Sequence, residues 1–140
     1  MLIPILSANT LTEGKVVPIS IWEALYIQLR NQIVIGIATS QIEIGTTLPS
    51  VRVLADNIGI NMHTVNKAYA VLKQEGFVKL DRRKGAVVAI DYDKCIAKNQ
   101  LMQTLEIVLA EAMCKDIGRN EVHDIVDKIY TIYEKKEYKE

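Results

Sequence analysis

Cysteine is scarce in this 140-residue chain: Cys95 and Cys114 are the two, and no CxxC spacing joins them. That excludes a disulfide-stapled scaffold and a cysteine zinc module, and both thiols are read as reduced, helix-packing residues. No run of about 18 apolar residues occurs, so nothing in the sequence reads as a membrane span. The apolar start Met1–Leu6 is shorter than a signal-peptide core and has no basic leader, which sets the expectation of a cytoplasmic protein. Catalytic patterns are missing too. His63 and His123 fall on different expected helices, no Cys–His or carboxylate pair has a motif around it, and no phosphate loop appears. Neither histidine has metal-ligand spacing. No enzyme, metal or cofactor is expected.

Net charge is also lacking: 17 basic residues balance 17 acidic ones, which argues against a generic polyanion binder. The balance is uneven, however. From Ser50 to Gly85 stand seven basic residues (Arg52, Lys67, Lys73, Lys79, Arg82, Arg83, Lys84) against Asp56, Glu75 and Asp81, a net +4. The rest of the chain therefore carries −4. A positive head on an acidic body is the distribution that a specific DNA binder needs. With 49% apolar residues the chain can build a real core, and its length suits one domain with an appendage.

Residues 1–18 show no period and read as an N-terminal arm. From Ser20, a plausible N-cap, to Thr39, the positions Ile21, Leu25, Leu29, Ile33 and Ile37 recur every four residues and predict an amphipathic helix, with Trp22 and Tyr26 beside the stripe. Gln41–Leu48 alternates around Gly45, as a short strand or turn would. Pro49-Ser50 opens a second helix to about Asn57 with Val51, Leu54 and Ala55 inward, and Ile58 and Ile60 flank the turn at Gly59 as buried plugs. Asn61 then caps a third helix to about Glu75, with Val65, Ala68, Tyr69 and Leu72 inward. Phe77–Leu80 and Ala86–Ile90, separated by DRRKG, predict a hairpin. Helix, turn, helix and basic hairpin together make a winged helix-turn-helix, which sets a recognition helix into a major groove.

That order assigns chemistry. His63, Thr64, Asn66 and Lys67 lie on or near the outward side of the third helix. Asn66 suits a bidentate pair with adenine, His63 a guanine acceptor, and Thr64 a phosphate or a thymine methyl. The alternative is that Thr64 merely shores up the helix start and His63 is an ordinary exposed polar residue. Asn61 is either a cap or a contact, and Arg52 either reaches DNA or pairs with Asp56 four residues on. Arg82, Arg83 and Lys84 at the hairpin tip suit phosphate or minor groove, the alternative being a solvated charge run. Gly85 supplies a positive φ and a close backbone approach. Lys67 and Lys73 contribute field more than specific contacts.

The stretches LPSVRVLA and GINMHTVNKAYAVLKQEGFV, with the K-G at the hairpin tip, resemble the GntR family of bacterial transcription regulators over residues 20–90. The short remainder is similar to the YtrA-like subfamily. The resemblance implies a dimeric operator-binding regulator acting in the bacterial cytoplasm and nucleoid. Such proteins are often repressors of their own operon and of adjacent ABC-transporter genes. It implies DNA contacts at Arg52, Asn61, His63, Thr64, Asn66 and Gly85, and Ser50 of the same motif joins that set. Met62 stands where many members carry a basic or small polar residue, and Asn66 replaces a commoner serine or arginine. Ile37–Gln41 is about four residues longer than the usual link, which predicts one extra turn on the first helix.

The fold class is thus mainly α (α+β): an arm at 1–18, a winged helix-turn-helix at 19–91 and a two-helix dimerisation region at 92–140. In that last region Asn120 is expected to cap the second helix after a break at Gly118, and EKKEYKE to fray. Two helices cannot enclose a core, so Leu101, Leu105, Leu109, Ile125, Val126 and Ile129 are expected to meet a second copy, making a homodimer and an inverted-repeat operator. Folding back on the same chain is the alternative. No small-molecule effector is indicated by any motif. The rival function, a winged helix serving as a protein-interaction module, fits poorly with a polar, basic face that lacks aromatic anchors.

Overall fold

The computed structural model describes residues 24–137. The arm, Ser20, Ile21 and Trp22 lie outside the described residues. By its contacts the chain divides into two units, Met1–Ile90 and Asp91–Glu140. The first holds α1 (Leu25–Ala38), α2 (Val51–Ile58), α3 (Met62–Gln74), β1 (Val78–Asp81) and β2 (Gly85–Val88).

One core serves all five elements. Leu29 and Ile33 of α1, Leu54 and Ala55 of α2, and Val65, Ala68, Tyr69 and Leu72 of α3 close on Val78, Ala86 and Val88 of the hairpin, with Ile42 and Leu48 sealing the connection. Ala68 is completely buried, and its small side chain lets α3 lie close to the helices that cover it. The α1 stripe differs from its expectation. Leu25 is 52% exposed, because a spacing of four overshoots a 3.6-residue turn and drifts by about 40° per step. The face that does enter the core follows a 3-4-3 spacing, with half-buried Tyr26 leading to Leu29, Ile33 and Gly36.

Nor does α1 gain an extra turn. It ends at Ala38, and buried Thr39 donates its hydroxyl to the Ile35 carbonyl at 2.8 Å. Ser40 takes φ +58°, so the surplus residues form a bend. The segment after it joins the wing: Gly45 N–H donates to Val88 O (2.7 Å), Val88 N–H to Thr46 O (2.8 Å) and Leu48 N–H to Ala86 O (2.8 Å). Thr47 bridges Val87 as an isolated third rung on the hairpin edge.

The helix–turn–helix is set by caps. Ser50 Oγ accepts from Val53 N–H at 3.2 Å. Gly59, at φ +70°, donates to Ala55 O and turns the chain, while Ile58 and Ile60 are half-buried against the core. Asn61 Oδ1 then accepts from His63 N–H at 2.7 Å and starts α3. Two ties fix that helix further. Tyr69 donates its hydroxyl to Pro49 O at 2.7 Å. Arg30 donates through Nε and Nη2 to both Glu75 carboxylate oxygens and lies 5.4 Å from the Phe77 ring centroid. Burial pushes the Tyr69 phenol above its ordinary range, so the hydroxyl stays a donor where an exposed tyrosine would ionise. Replacing it (Tyr69→Phe) strands the Pro49 carbonyl and is expected to cost about 1–3 kcal/mol in urea unfolding. An unchanged midpoint would show that the carbonyl finds another partner.

The hairpin pairs Val78 with Val88 through to Asp81 with Gly85, antiparallel; β1 is shifted one residue toward the tip from its expected run, and β2 starts one residue earlier and ends two residues earlier than expected.

In the second unit, α4 (Lys94–Cys114) begins at Asp93, whose carboxylate accepts from Ile96 N–H at 3.0 Å. The next helix, α5 (Arg119–Glu137), is not capped by Asn120, which lies inside its first turn. Gly118 precedes it, and Glu121 Oε2 accepts the Gly118 N–H at 2.9 Å, a reciprocal cap that a glutamate three residues in can make. The helix runs through Glu137, so most of the charged tail is helical. No residue of α4 is buried. Leu101, Leu105, Leu109, Ile125, Val126 and Ile129 stand between 37% and 59% exposed. Cys95 and Cys114, expected to pack, are exposed free thiols. Among the described residues no helix is long and apolar enough to cross a membrane.

Candidate nucleic-acid interface

Successive residues of α3 are about 100° apart, so burying Val65, Ala68, Tyr69 and Leu72 fixes what the other side shows. His63, Asn66 and Lys67, at i, i+3 and i+4, are exposed on that side. Thr64 is half-buried at the boundary, nearer the core than the other three. Met62 at the head of the helix is 44% exposed, which offers an apolar contact surface beside Asn66. Asn61 does cap the helix, and its amide oxygen is committed to the His63 N–H. Ser50 likewise holds Val53 N–H. Arg52 is exposed on α2, and no ion pair joins it to Asp56 among the described residues.

The wing tip is built by Asp81. One carboxylate oxygen accepts from Arg83 N–H at 2.8 Å and Lys84 N–H at 2.9 Å. Gly85, at φ +89°, returns the chain to β2. Arg82, Arg83 and Lys84 are all exposed. The Lys84 and Arg83 amides, helped by the charges of Lys84 and Lys79, hold the Asp81 carboxyl below the usual aspartate range. A lowered value means that the tip is fully clamped above that range and released only as pH falls through the lowered one. The Arg83 and Lys84 amide resonances are therefore expected to stay constant from neutral pH to the ordinary aspartate range and to move together below it. Movement near neutrality would contradict this clamp.

An exposed basic tip in the same unit as an exposed polar helix face predicts electrostatic grip. Replacing Arg82 and Arg83 together by alanine is expected to weaken binding to every duplex and to flatten the log–log salt slope by about 1.8. An unchanged slope would remove the wing from the interface. No group of three His, Cys, Asp or Glu able to hold a metal occurs among the described residues.

The sequence assigned Tyr26 no functional part. In the structure its ring lies under Lys67, with Nζ 4.2 Å from the centroid. The 3-4-3 spacing of Tyr26, Leu29, Ile33 and Gly36 was the available signal, but a four-residue repeat through Leu25 competed with it.

This winged geometry has counterparts among known proteins. The family model "Bacterial regulatory proteins, gntR family" matches residues 23–88. Over that stretch the chain is similar to the GntR-family domain. The chain is 35% identical over 65 residues to an HTH-type transcriptional regulator of Mycobacterium tuberculosis, an alignment covering 46% of this chain and 54% of that protein. It thus spans about half the length of the curated relative it matches. A structure described as a GntR family transcriptional regulator from Listeria monocytogenes is 25% identical, with a TM-score of 0.59 over 78% of this chain and 97% of that one. A transcriptional antiterminator from Listeria monocytogenes EGD-e shares the fold at a TM-score of 0.74, with 21% identity over 84% of this chain and 90% of that one. The GntR match contains all eleven residues singled out for DNA contact, from Ser50 to Gly85.

Proposed function

We propose that this chain is a dimeric, sequence-specific transcriptional regulator that binds double-stranded DNA. The observation carrying this reading is the outward side of α3: His63, Asn66 and Lys67 are exposed together on a helix whose opposite side is locked in the core. Those side chains suit base edges, and the cationic tip of Arg82, Arg83 and Lys84 suits the flanking backbone. Ser50 and Asn61 serve the site by shaping the two helix starts, Thr64 at the edge of the outward side suits a phosphate or a thymine methyl, and Arg52 supplies a long cation from α2. Gly85 allows the tip to approach closely.

Dimerisation through α4 and α5 is supported by their exposure. Leu101, Leu105 and Leu109 on one helix and Ile125, Val126 and Ile129 on the other are each at least 37% exposed, and exposed large apolar side chains recurring along both helices favour a partner surface. A two-fold pair of reading heads calls for an inverted-repeat operator. The short helical pair fits the YtrA-like reading, in which the regulator is a repressor of its own operon and of a neighbouring ABC transporter. It acts in the cytoplasm, on the nucleoid.

Selection of genomic fragments by the purified full chain tests this. The expected result is enrichment of fragments sharing one inverted repeat, including one upstream of the chain's own gene. Recovery of fragments with no common motif would overturn the reading.

A further inference from the structure

Lysine on an exposed helix face ordinarily samples many rotamers, and ordering it on a ligand costs entropy. Lys67 is placed differently. Its ammonium lies 4.2 Å from the centroid of the Tyr26 ring, well inside the about 6 Å range over which an aromatic face attracts a cation. That ring is a firm platform. Tyr26 is half-buried, packed against the core, and lies on the same side of α1 as Leu29 and Ile33. Lys67 itself stays exposed, one turn after His63 and adjacent to Asn66. The contact therefore joins the beginning of α1 to the border of the outward α3 face. A cation–π contact engages the ammonium's charge without using an acceptor atom, so its N–H donors remain usable by an anion.

We propose that Tyr26 is a positioning residue of the nucleic-acid interface: its ring holds the Lys67 ammonium in place for a backbone phosphate beside the bases that His63 and Asn66 face. This rests on the DNA-binding reading above and deepens it. The surface that meets DNA then extends beyond the helix–turn–helix and wing to the first turn of α1, and Lys67 makes a defined contact instead of contributing only field.

The test has two stages on the full chain. In the free protein, the Lys67 ε-methylene protons are expected upfield, shifted by the ring current, in wild type and in Tyr26→Phe, and at ordinary positions in Tyr26→Leu. On DNA, salt titrations use the operator obtained by genomic selection and a scrambled duplex. Lys67→Met is expected to reduce the log–log salt slope by about 0.9 on both duplexes. Tyr26→Phe should bind as wild type. Tyr26→Leu should weaken binding about two- to fivefold, the effect of losing one exposed cation–π contact, and should add nothing once Lys67→Met is present. If the Tyr26→Leu loss persists in the Lys67→Met background, or if Lys67→Met leaves the slope unchanged while wild type binds, the inference falls alone. Because Lys67 is exposed, its variants keep this decision available even if Tyr26→Leu unfolds. Wild type with no salt-dependent DNA affinity would instead remove the DNA-binding reading itself.

Discussion

Placing an aspartate at Leu105 and another at Ile129 is expected to convert the protein to a 15.7 kDa monomer and to lower operator affinity by about 10²- to 10⁴-fold. The magnitude follows from tethering. In a dimer the second reading head binds as an intramolecular event, and a monomer loses that advantage without losing any contact at its own half-site. Both positions are more than 40% exposed in the single chain, so a carboxylate costs the protomer little. In a dimer the same carboxylates would be buried against apolar surface with no partner charge, which is costly. Affinity for scrambled DNA should fall far less. Sedimentation velocity and operator binding check the two halves of the prediction. A variant that stays dimeric would place the interface elsewhere, and a monomer that binds the operator like wild type would remove dimerisation from the mechanism.

The second large effect belongs to Asn66. An asparagine on the outward side of a recognition helix can accept from adenine N6 and donate to N7, a pairing no other base reproduces. Asn66→Ala should therefore cost about 1–3 kcal/mol on the operator and little on scrambled duplex. The side chain is exposed and remote from the buried stripe, so the fold should be unaffected. Equal losses on both duplexes would mean that Asn66 touches only backbone, and the specificity would then have to come from His63, from Met62 or from DNA shape.

Much of the local geometry of the candidate interface was legible in the chain because local rules act there without competition. Ser50, Gly59 and Asn61 each do at a helix end what their chemistry favours, and the 65, 68, 69 and 72 spacing admits one buried face. Gly85 takes the positive φ that its place at the hairpin tip demanded. What was misplaced involves residues whose role depends on tertiary neighbours. Leu25 looked like core because a four-residue repeat mimics a stripe over short distances, yet the drift of that repeat carries it into solvent. The extra residues near Ser40 looked helical but form a bend that delivers Gly45, Thr46 and Leu48 to the wing edge. Asn120 is a good capping residue by type, but Glu121 reaching back to Gly118 starts the helix two residues earlier. The Tyr26–Lys67 contact spans two helices and more than forty positions, so no local pattern announces it.

Specific recognition is the role proposed for the exposed side of α3, and one ratio measures it directly: the dissociation constant on scrambled duplex divided by that on the selected operator, at moderate ionic strength. The account predicts a ratio of about 10³ or more, as specific DNA-binding proteins show. A ratio near one would contradict it.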